Sequence, residues 1–463
     1  MYMQKLYLRQ LLPVIEGTVI QGSDQMVISD VIDSKYLKHL KRPHTLIFLT
    51  NNDGTAIHTI EAQTPCAVII DKPIEKLSLI TDCTVIKVKN VKKSYFAFID
   101  YYRNQFHIPV IAITGTCGKT TTKDMTKHIL EYFYKTVGTY KSTNGPSQHL
   151  RYLLQLDHST EAAVFETAVG SPGDLKRSGR YFKPNIGIIT NIGIDHLDHC
   201  KTLEAYIKAK ADMLTVLNPH GVLILNADDP NIKKFNLSLY KGKIVFFGLS
   251  QKAQYRASQI EYATGGMKFT LNYQGKRYPA FVPGYGTHQV YNAIAALAAV
   301  HELGIPLSSA IDLLSSFKLL NAHFEIAKGL NNALIINDTY SLNPTSLEAG
   351  IKTMCEIAQG RRTIALIPDI DTLGQNTKPI HYQVGDKIAK SNLDVLITMG
   401  ADAQIIASQC KKRGFRGQVY SFKDTRGVKE FLNELLNDNS IILIKCDMYD
   451  TKMKEFLTSI THI

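Results

Sequence analysis

The run Gly115-Thr116-Cys117-Gly118-Lys119-Thr120-Thr121-Thr122 combines glycine, hydroxyl and lysine side chains at a spacing suited to holding a polyphosphate. It follows an apolar stretch, 109–114, that reads as a buried strand, and leads into a helical segment, 123–134. A strand, a glycine-containing turn and a helix N-terminus place backbone N–H groups and the positive end of the helix dipole around phosphate oxygens. In such a loop Lys119 reaches the β- and γ-phosphates and the Thr120 hydroxyl ligates Mg²⁺, while Gly115, Thr116, Gly118 and Thr121 line the phosphate path. The generic P-loop has a further glycine five residues before the second one, where this chain has Ile113, so the loop is a variant. Cys117 reads as a tolerated small residue of the turn, not a nucleophile.

Two more residues are expected in the same crevice. Glu166 closes the apolar run 162–166, and His196 lies just past the run 186–191, within Thr190-Asn191-Ile192-Gly193-Ile194-Asp195-His196-Leu197-Asp198-His199. A carboxylate and an imidazole beyond the carboxyl ends of parallel strands open on the P-loop crevice, where they can share a metal ion. Asp195 and His199 read as turn or supporting residues. Lys208 and Lys210 fall on a helical stretch, 203–217, where either lysine taken alone reads as part of a solvated face.

These residues need a large α/β scaffold. The chain has 463 residues, enough for about three domains, and its 44% hydrophobic and 20% charged content excludes a disordered or low-complexity chain. From 1 to 104 short apolar runs at 45–49, 67–70 and 84–88 suggest a small α/β unit. From 105 to 328, continuous apolar runs at 109–114, 162–166, 186–191, 221–226 and 243–247 describe a doubly wound parallel sheet. A hairpin across Gln274-Gly275-Lys276 and an Ala-rich buried helix at 291–303 follow. From 329 to 463 runs at 333–337, 363–368, 394–399, 418–422 and 441–445 describe a Rossmann-like domain without GxGxxG, hence without a dinucleotide site. No internal repeat is visible.

Of the formal charge of +12, +8 falls in 105–328, which suits an anionic small substrate. The clusters Lys92-Lys93 and Lys411-Lys412-Arg413 are too short, and too poor in interleaved aromatics, for nucleic acid to be expected. No apolar run reaches the roughly 18 residues of a membrane span. The seven cysteines show no CxxC pair, so reduced thiols, and with them a cytoplasmic location, are expected.

The motifs TGTCGKTTT, the Glu166 strand, TNIGIDHLDH, AKADM at 209–213 and Asn226-Ala227-Asp228-Asp229-Pro230 occur in the order seen in Mur ligases. The helix with Tyr291-Asn292-Ala293-Ile294-Ala295-Ala296 and the stretch Ile336-Asn337-Asp338-Thr339-Tyr340 continue that order. The chain resembles these ATP-dependent amide ligases almost throughout. Gly173-Asp174-Leu175, Lys183-Pro184-Asn185, Tyr340-Ser341-Leu342-Asn343-Pro344, Asp371-Thr372-Leu373-Gly374 and His381 are most similar to the branch that adds D-alanyl-D-alanine to UDP-N-acetylmuramoyl-tripeptide. His196-Leu197-Asp198-His199 is similar instead to the branch that adds the third amino acid.

The resemblance implies a three-domain architecture: a UDP-sugar-type domain (1–104), a central ATP-binding domain (105–328) and a C-terminal domain (329–463) that takes the amine substrate and closes on ATP. It implies ATP, two Mg²⁺ ions, and a Lys210 that CO₂ carbamylates into a metal ligand beside Thr120, Glu166 and His196. Lys119, His196 and Lys210 carry the catalytic roles, Asn292 contacts adenine, Asp338 contacts ribose, and Asn144 lies near phosphate and substrate. The partners implied are ATP and small carboxylate and amine substrates, with a monomeric chain.

Several positions depart from the family pattern. His323 stands where relatives carry an arginine facing the phosphates, and a mostly neutral imidazole cannot make a bidentate contact. Asp33-Ser34-Lys35 replaces Asp-Ser-Arg, Lys445-Cys446-Asp447 replaces Lys-Gly-Ser, and the motif ending in Asn343 lacks one asparagine. Ser34, Lys35, Asn144, Asn343 and Lys445 are therefore the substrate-reading candidates. Three functions stay open: cell-wall synthesis on a UDP-muramoyl-peptide, the same chemistry on another carboxylate and amine, and a binding protein that kept the fold.

Overall fold

The computed structural model describes residues 3–36, 42–50, 57–217 and 219–461. Three α/β units follow one another along the chain, each built on its own sheet. The first sheet runs in the order Thr18–Gln21, Cys83–Lys87, Cys66–Ile70, Thr45–Phe48, Asp30–Asp33, parallel except for its antiparallel first edge. The helix Val91–Asn104, started by the Asn90 side chain accepting from the Lys93 N–H, closes this unit. At its end the buried Arg103 guanidinium donates to the carbonyls of Phe106 and Phe182 at 2.6 and 2.7 Å, and the Tyr95 and Tyr181 hydroxyls meet at 2.9 Å. The first unit is thus tied to the second through paired polar groups.

The second sheet has nine strands, in the order Lys276–Pro283, Gly266–Tyr273, Tyr255–Ala263, Lys243–Gly248, Val222–Asn226, Ile186–Ile189, Val110–Thr114, Ala162–Glu166, Thr136–Gly138. The strands from Lys243–Gly248 to Thr136–Gly138 are parallel, and their inner members are apolar up to their carboxyl ends, where Thr114, Glu166 and Asn226 stand, because helices cover both faces. The helices Lys119–Phe133 and Thr287–Glu302 share one core with one face of the sheet. Leu203–Ala211 packs on the other face. The hairpin loop is two residues long, not three: Gln274 and Gly275 both take positive φ (48° and 76°) and Lys276 already pairs with Tyr273. That pair of dihedrals is what a two-residue turn matching strand twist requires.

The third sheet runs Glu325–Lys328, Leu334–Asp338, Ser440–Lys445, Arg362–Pro368, Val395–Met399, Gln418–Phe422. All neighbours are parallel except the first pair. The expected boundary after 328 therefore cuts off a strand: Glu325–Lys328 pairs with the third sheet. Separate apolar cores on the two faces of this sheet hold its helices, with Pro344–Ile357 on one face and Thr451–Ile460 on the other. None of the described helices is long and apolar enough to cross a membrane.

Candidate active site

The P-loop lies between two strand ends. Val110–Thr114 is flanked by Ala162–Glu166 on one side and Ile186–Ile189 on the other, so Glu166 and the segment leading to His196 stand on opposite sides of the loop. The helix begins at Lys119, four residues earlier than its periodicity predicts, because Gly118 turns the chain with φ +78° and no intervening residue is needed. A Cβ on Gly118 would sit 2.2 Å from Asn292 Oδ1, and one on Gly115 1.9 Å from Thr190 Oγ1. Both glycines are there because a neighbouring side chain occupies that space.

Thr190 and Asn191 clamp the loop. The Cys117 N–H donates to Asn191 Oδ1 (2.9 Å), and the Cys117 carbonyl accepts from Asn191 Nδ2 (3.0 Å) and Thr190 Oγ1 (2.6 Å). The Gly193 N–H donates to Thr116 Oγ1 at 2.9 Å. Much of the 190–193 stretch thus shapes the phosphate loop, a role its residue types alone did not reveal.

At the helix N-terminus, Thr120 Oγ1 donates to Glu166 Oε2 (2.9 Å), and Asn144 Nδ2 donates to Glu166 Oε1 (2.6 Å). Glu166 is only 2% exposed, and burial raises its pKa against the lowering influence of Lys119. Lys119 Nζ donates to the Thr116 carbonyl at 2.9 Å. Lys210 lies across the loop, donating to the Gly115 carbonyl at 2.9 Å and placed 4.4 Å from the Tyr206 ring. At 1% exposure it is no solvated lysine: the helix expected over 203–217 ends at Ala211, and its last turn is pressed under the P-loop. Burial drives the Lys210 pKa well down, and Lys119 adds to this. His196 takes a left-handed backbone conformation (φ 51°), with Nε2 3.9 Å from Asp195 Oδ2; burial lowers its pKa.

Among the described residues, no three His, Cys, Asp or Glu side chains gather closely enough to hold an ion by themselves. The donors that do gather, the Thr120 hydroxyl and the Glu166 carboxylate, are hard oxygens of the kind Mg²⁺ takes, and Mg²⁺ usually completes its shell with water and phosphate.

The third unit forms the facing wall. Cys117 Sγ donates to Asn343 Oδ1 (3.4 Å), Thr372 Oγ1 to Asp195 Oδ1 (3.2 Å), and the Asp198 N–H to the Thr372 carbonyl (3.0 Å). Two cavities result. One, about 270 Å³, is lined by Gly118, Thr121, Phe247, His288, Asn292 and Asp338 among others. The second, about 370 Å³, holds Lys119, Thr120, Asn144, Glu166, His196 and Asn343, with an acidic wall of Asp369, Asp371, Asp447 and Asp450. His323 and Tyr340 line both, their rings 3.9 Å apart between centroids. His323 thus stands between the two cavities, and burial lowers its pKa.

Other candidates are placed differently. Lys445 donates to Asp338 Oδ2 at 2.7 Å, so it pairs with the expected ribose contact in the wall of the first cavity. Asn343 caps Pro344–Ile357, accepting from the Ser346 N–H (2.9 Å). Ser34 and Lys35 lie on a short 3₁₀ turn of the first unit, outside the lining of either cavity. His288, and Tyr340 apart from its place in the family motifs, were given no role in the sequence, because an aromatic ring reads as packing until the neighbouring unit is in place.

The family model for the Mur ligase middle domain matches residues 113–300, and that for the Mur ligase glutamate ligase domain matches 324–447. A UDP-N-acetylmuramoyl-tripeptide--D-alanyl-D-alanine ligase of Buchnera aphidicola is 30% identical over 361 residues, 78% of this chain and 77% of that protein. The ligase of the same name from Bacillus subtilis is 27% identical, covering 79% and 78%. Among solved structures, MurF of Acinetobacter baumannii superposes with a TM-score of 0.84 at 23% identity over 98% of both chains. MurF of Thermotoga maritima in complex with ADP gives 0.77 at 19% identity, over 93% of this chain and 96% of that one. A P-loop walled by a third α/β unit, within a sequence that tracks these proteins over most of its length, places the chain in the Mur ligase family of ATP-dependent amide ligases.

Proposed function

We propose that the chain joins the terminal carboxyl group of a UDP-N-acetylmuramoyl-tripeptide to the amino group of D-alanyl-D-alanine. The observation that carries this reading is the Lys119, Thr120, Asn144 and Glu166 cluster in a cavity whose far wall is the third unit, in a chain similar over most of its length to ligases of that name. The substrate carboxylate attacks the γ-phosphate of ATP, the bond to the β-phosphate oxygen breaks, and ADP leaves an acyl phosphate. The amine then attacks the carbonyl carbon, phosphate departs, and the nitrogen loses its proton.

Two anions meet in the first step. Lys119 offers an ammonium to the β- and γ-phosphate oxygens, where charge develops, and the P-loop N–H groups hold the chain in line. Thr120 and Glu166, together with His196 and a modified Lys210, would hold Mg²⁺, which would supply further neutralising charge. Lys210 fits that role only as a carbamate, since an ammonium would repel the cation. Its burial favours the neutral amine that attacks CO₂, forming the N–C bond and releasing a proton. The docked third unit shields the acyl phosphate from water. Asn292 and Asp338, with Lys445 behind it, frame the cavity read as the adenosine site.

One observation favours the second reading, the same chemistry on a different carboxylate and amine. The acceptor wall carries Asp369, Asp371, Asp447 and Asp450, and Lys119 is the one lysine or arginine among the described residues lining that cavity. Such a wall suits a dipeptide's free carboxylate poorly. Phosphate release measured across UDP-muramoyl-peptides and a panel of amino acids and dipeptides tests both readings. Release with the tripeptide and D-alanyl-D-alanine supports the first, and release with another pair alone overturns it.

A further inference from the structure

Tyr340 comes from the third unit, two residues past the strand Leu334–Asp338, yet its hydroxyl lies 3.3 Å from Thr120 Oγ1 of the P-loop. A threonine hydroxyl has one proton and two lone pairs. The proton of Thr120 is given to Glu166 Oε2 at 2.9 Å, so in the Tyr340 contact the phenol must be the donor. That donation occupies one lone pair and leaves the other as the single position from which Thr120 can bind a cation. The phenol ring is held against His323, with centroids 3.9 Å apart.

We propose that Tyr340 is a positioning residue for phosphoryl transfer: its hydroxyl, delivered by docking of the third unit, fixes the orientation of the Thr120 hydroxyl and so completes the Mg²⁺-binding side of the P-loop. The inference rests on the reading of Thr120 as a metal ligand given above. It also gives His323 a role that needs no charge, as the ring that backs Tyr340. The contact exists only when the third unit sits on the second, so an undocked chain would hold nucleotide through the P-loop with its metal site incomplete.

The test is calorimetric titration of the full chain with ATP, in EDTA and in Mg²⁺, alongside steady-state turnover. Tyr340→Phe keeps the ring and removes only the hydroxyl. Affinity in EDTA is expected to stay within about twofold, the gain in affinity on adding Mg²⁺ to shrink by about fivefold, and kcat to fall by about tenfold with the Mg²⁺ requirement raised. In a Thr120→Ala background the same substitution should have no further effect on the Mg²⁺-dependent gain, because both changes remove one interaction. His323→Ala, which loosens the ring without touching the hydroxyl, should give a smaller loss of the same kind and serves if Tyr340→Phe folds poorly. An unchanged Mg²⁺-dependent gain in Tyr340→Phe, or a full loss persisting in the Thr120→Ala background, would overturn the proposal. Titration needs no acceptor substrate, so failure of the chain to use UDP-muramoyl-tripeptide would sink that reading while leaving this one standing, and the reverse outcome is equally distinct.

Discussion

Lys119 is the one lysine or arginine among the described residues lining the second cavity, and losing a charge-assisted contact costs roughly 1.5–3 kcal/mol before any transition-state effect. Lys119→Ala should therefore abolish measurable ligation, and near wild-type turnover in that variant would mean that the loop is not the phosphate site. His323→Arg should tighten ATP binding or raise turnover by several-fold if the imidazole merely stands in for a guanidinium. If instead the ring is needed behind Tyr340, turnover should drop although affinity improves, and the two constants measured together separate these outcomes. Lys210→Ala should lose at least about a hundredfold in rate, with partial recovery on adding short-chain carboxylates and a slower wild-type enzyme in CO₂-depleted buffer. Insensitivity of the wild type to CO₂ would remove the carbamate. At this scale the sequence exposed side chains whose chemistry is local to a motif, such as Lys119, Thr120 and Glu166. It hid Tyr340, Asn191 and the true partner of Lys445, whose roles depend on residues as much as 220 positions away.

Strand signals in the parallel sheets were legible almost to the residue, because a strand buried on both faces is apolar up to its carboxyl end, as Val110–Thr114 and Ala162–Glu166 show. The strands Thr136–Gly138 and Tyr255–Ala263 were not, since an edge or half-solvated strand mixes polar residues in. Helix starts set by glycine, at Gly118 and Gly286, came earlier than apolar periodicity alone indicates. The docking contacts between the second and third units make a further prediction. Gly374 has φ +56°, and a Cβ there would lie 2.9 Å from the Asp198 Cα, a backbone atom that cannot swing aside. Gly374→Ala adds strain of roughly 1–3 kcal/mol and pushes the units apart, so turnover should fall on the order of tenfold while ATP still binds. Equal turnover in that variant would show that the approach of Gly374 to Asp198 is not needed for catalysis.

The molecule as a whole carries buried histidines that make it acid-sensitive. His149, 2% exposed, packs its ring against Tyr181 and Phe182, and burial pushes its pKa down to about 4 from 6.5. Between those values the unfolded chain binds a proton that the native state refuses, so stability falls as pH drops from about 6.5 to about 4, by roughly 3 kcal/mol from this group. Thermal melting across that range should show the loss, and His149→Phe should flatten part of it; an identical pH profile in the variant would assign the sensitivity elsewhere. The three-unit order was legible from where apolar runs stop and restart, and the family resemblance implied that the third unit closes on ATP, but which of its residues meet the P-loop was not legible, because nothing local marks which faces two separately folded units present to each other.

The P-loop crevice is proposed to activate a muramoyl-peptide carboxylate with ATP and to pass it to a dipeptide amine. The most direct measurement incubates the full chain with ATP, Mg²⁺, UDP-N-acetylmuramoyl-tripeptide and D-alanyl-D-alanine, following phosphate release and the mass of the product. The expected result is one phosphate per amide bond formed and a UDP-muramoyl-pentapeptide, both abolished by Lys119→Ala. Phosphate release that is independent of either substrate, or a pentapeptide formed equally well by the Lys119→Ala chain, would contradict it.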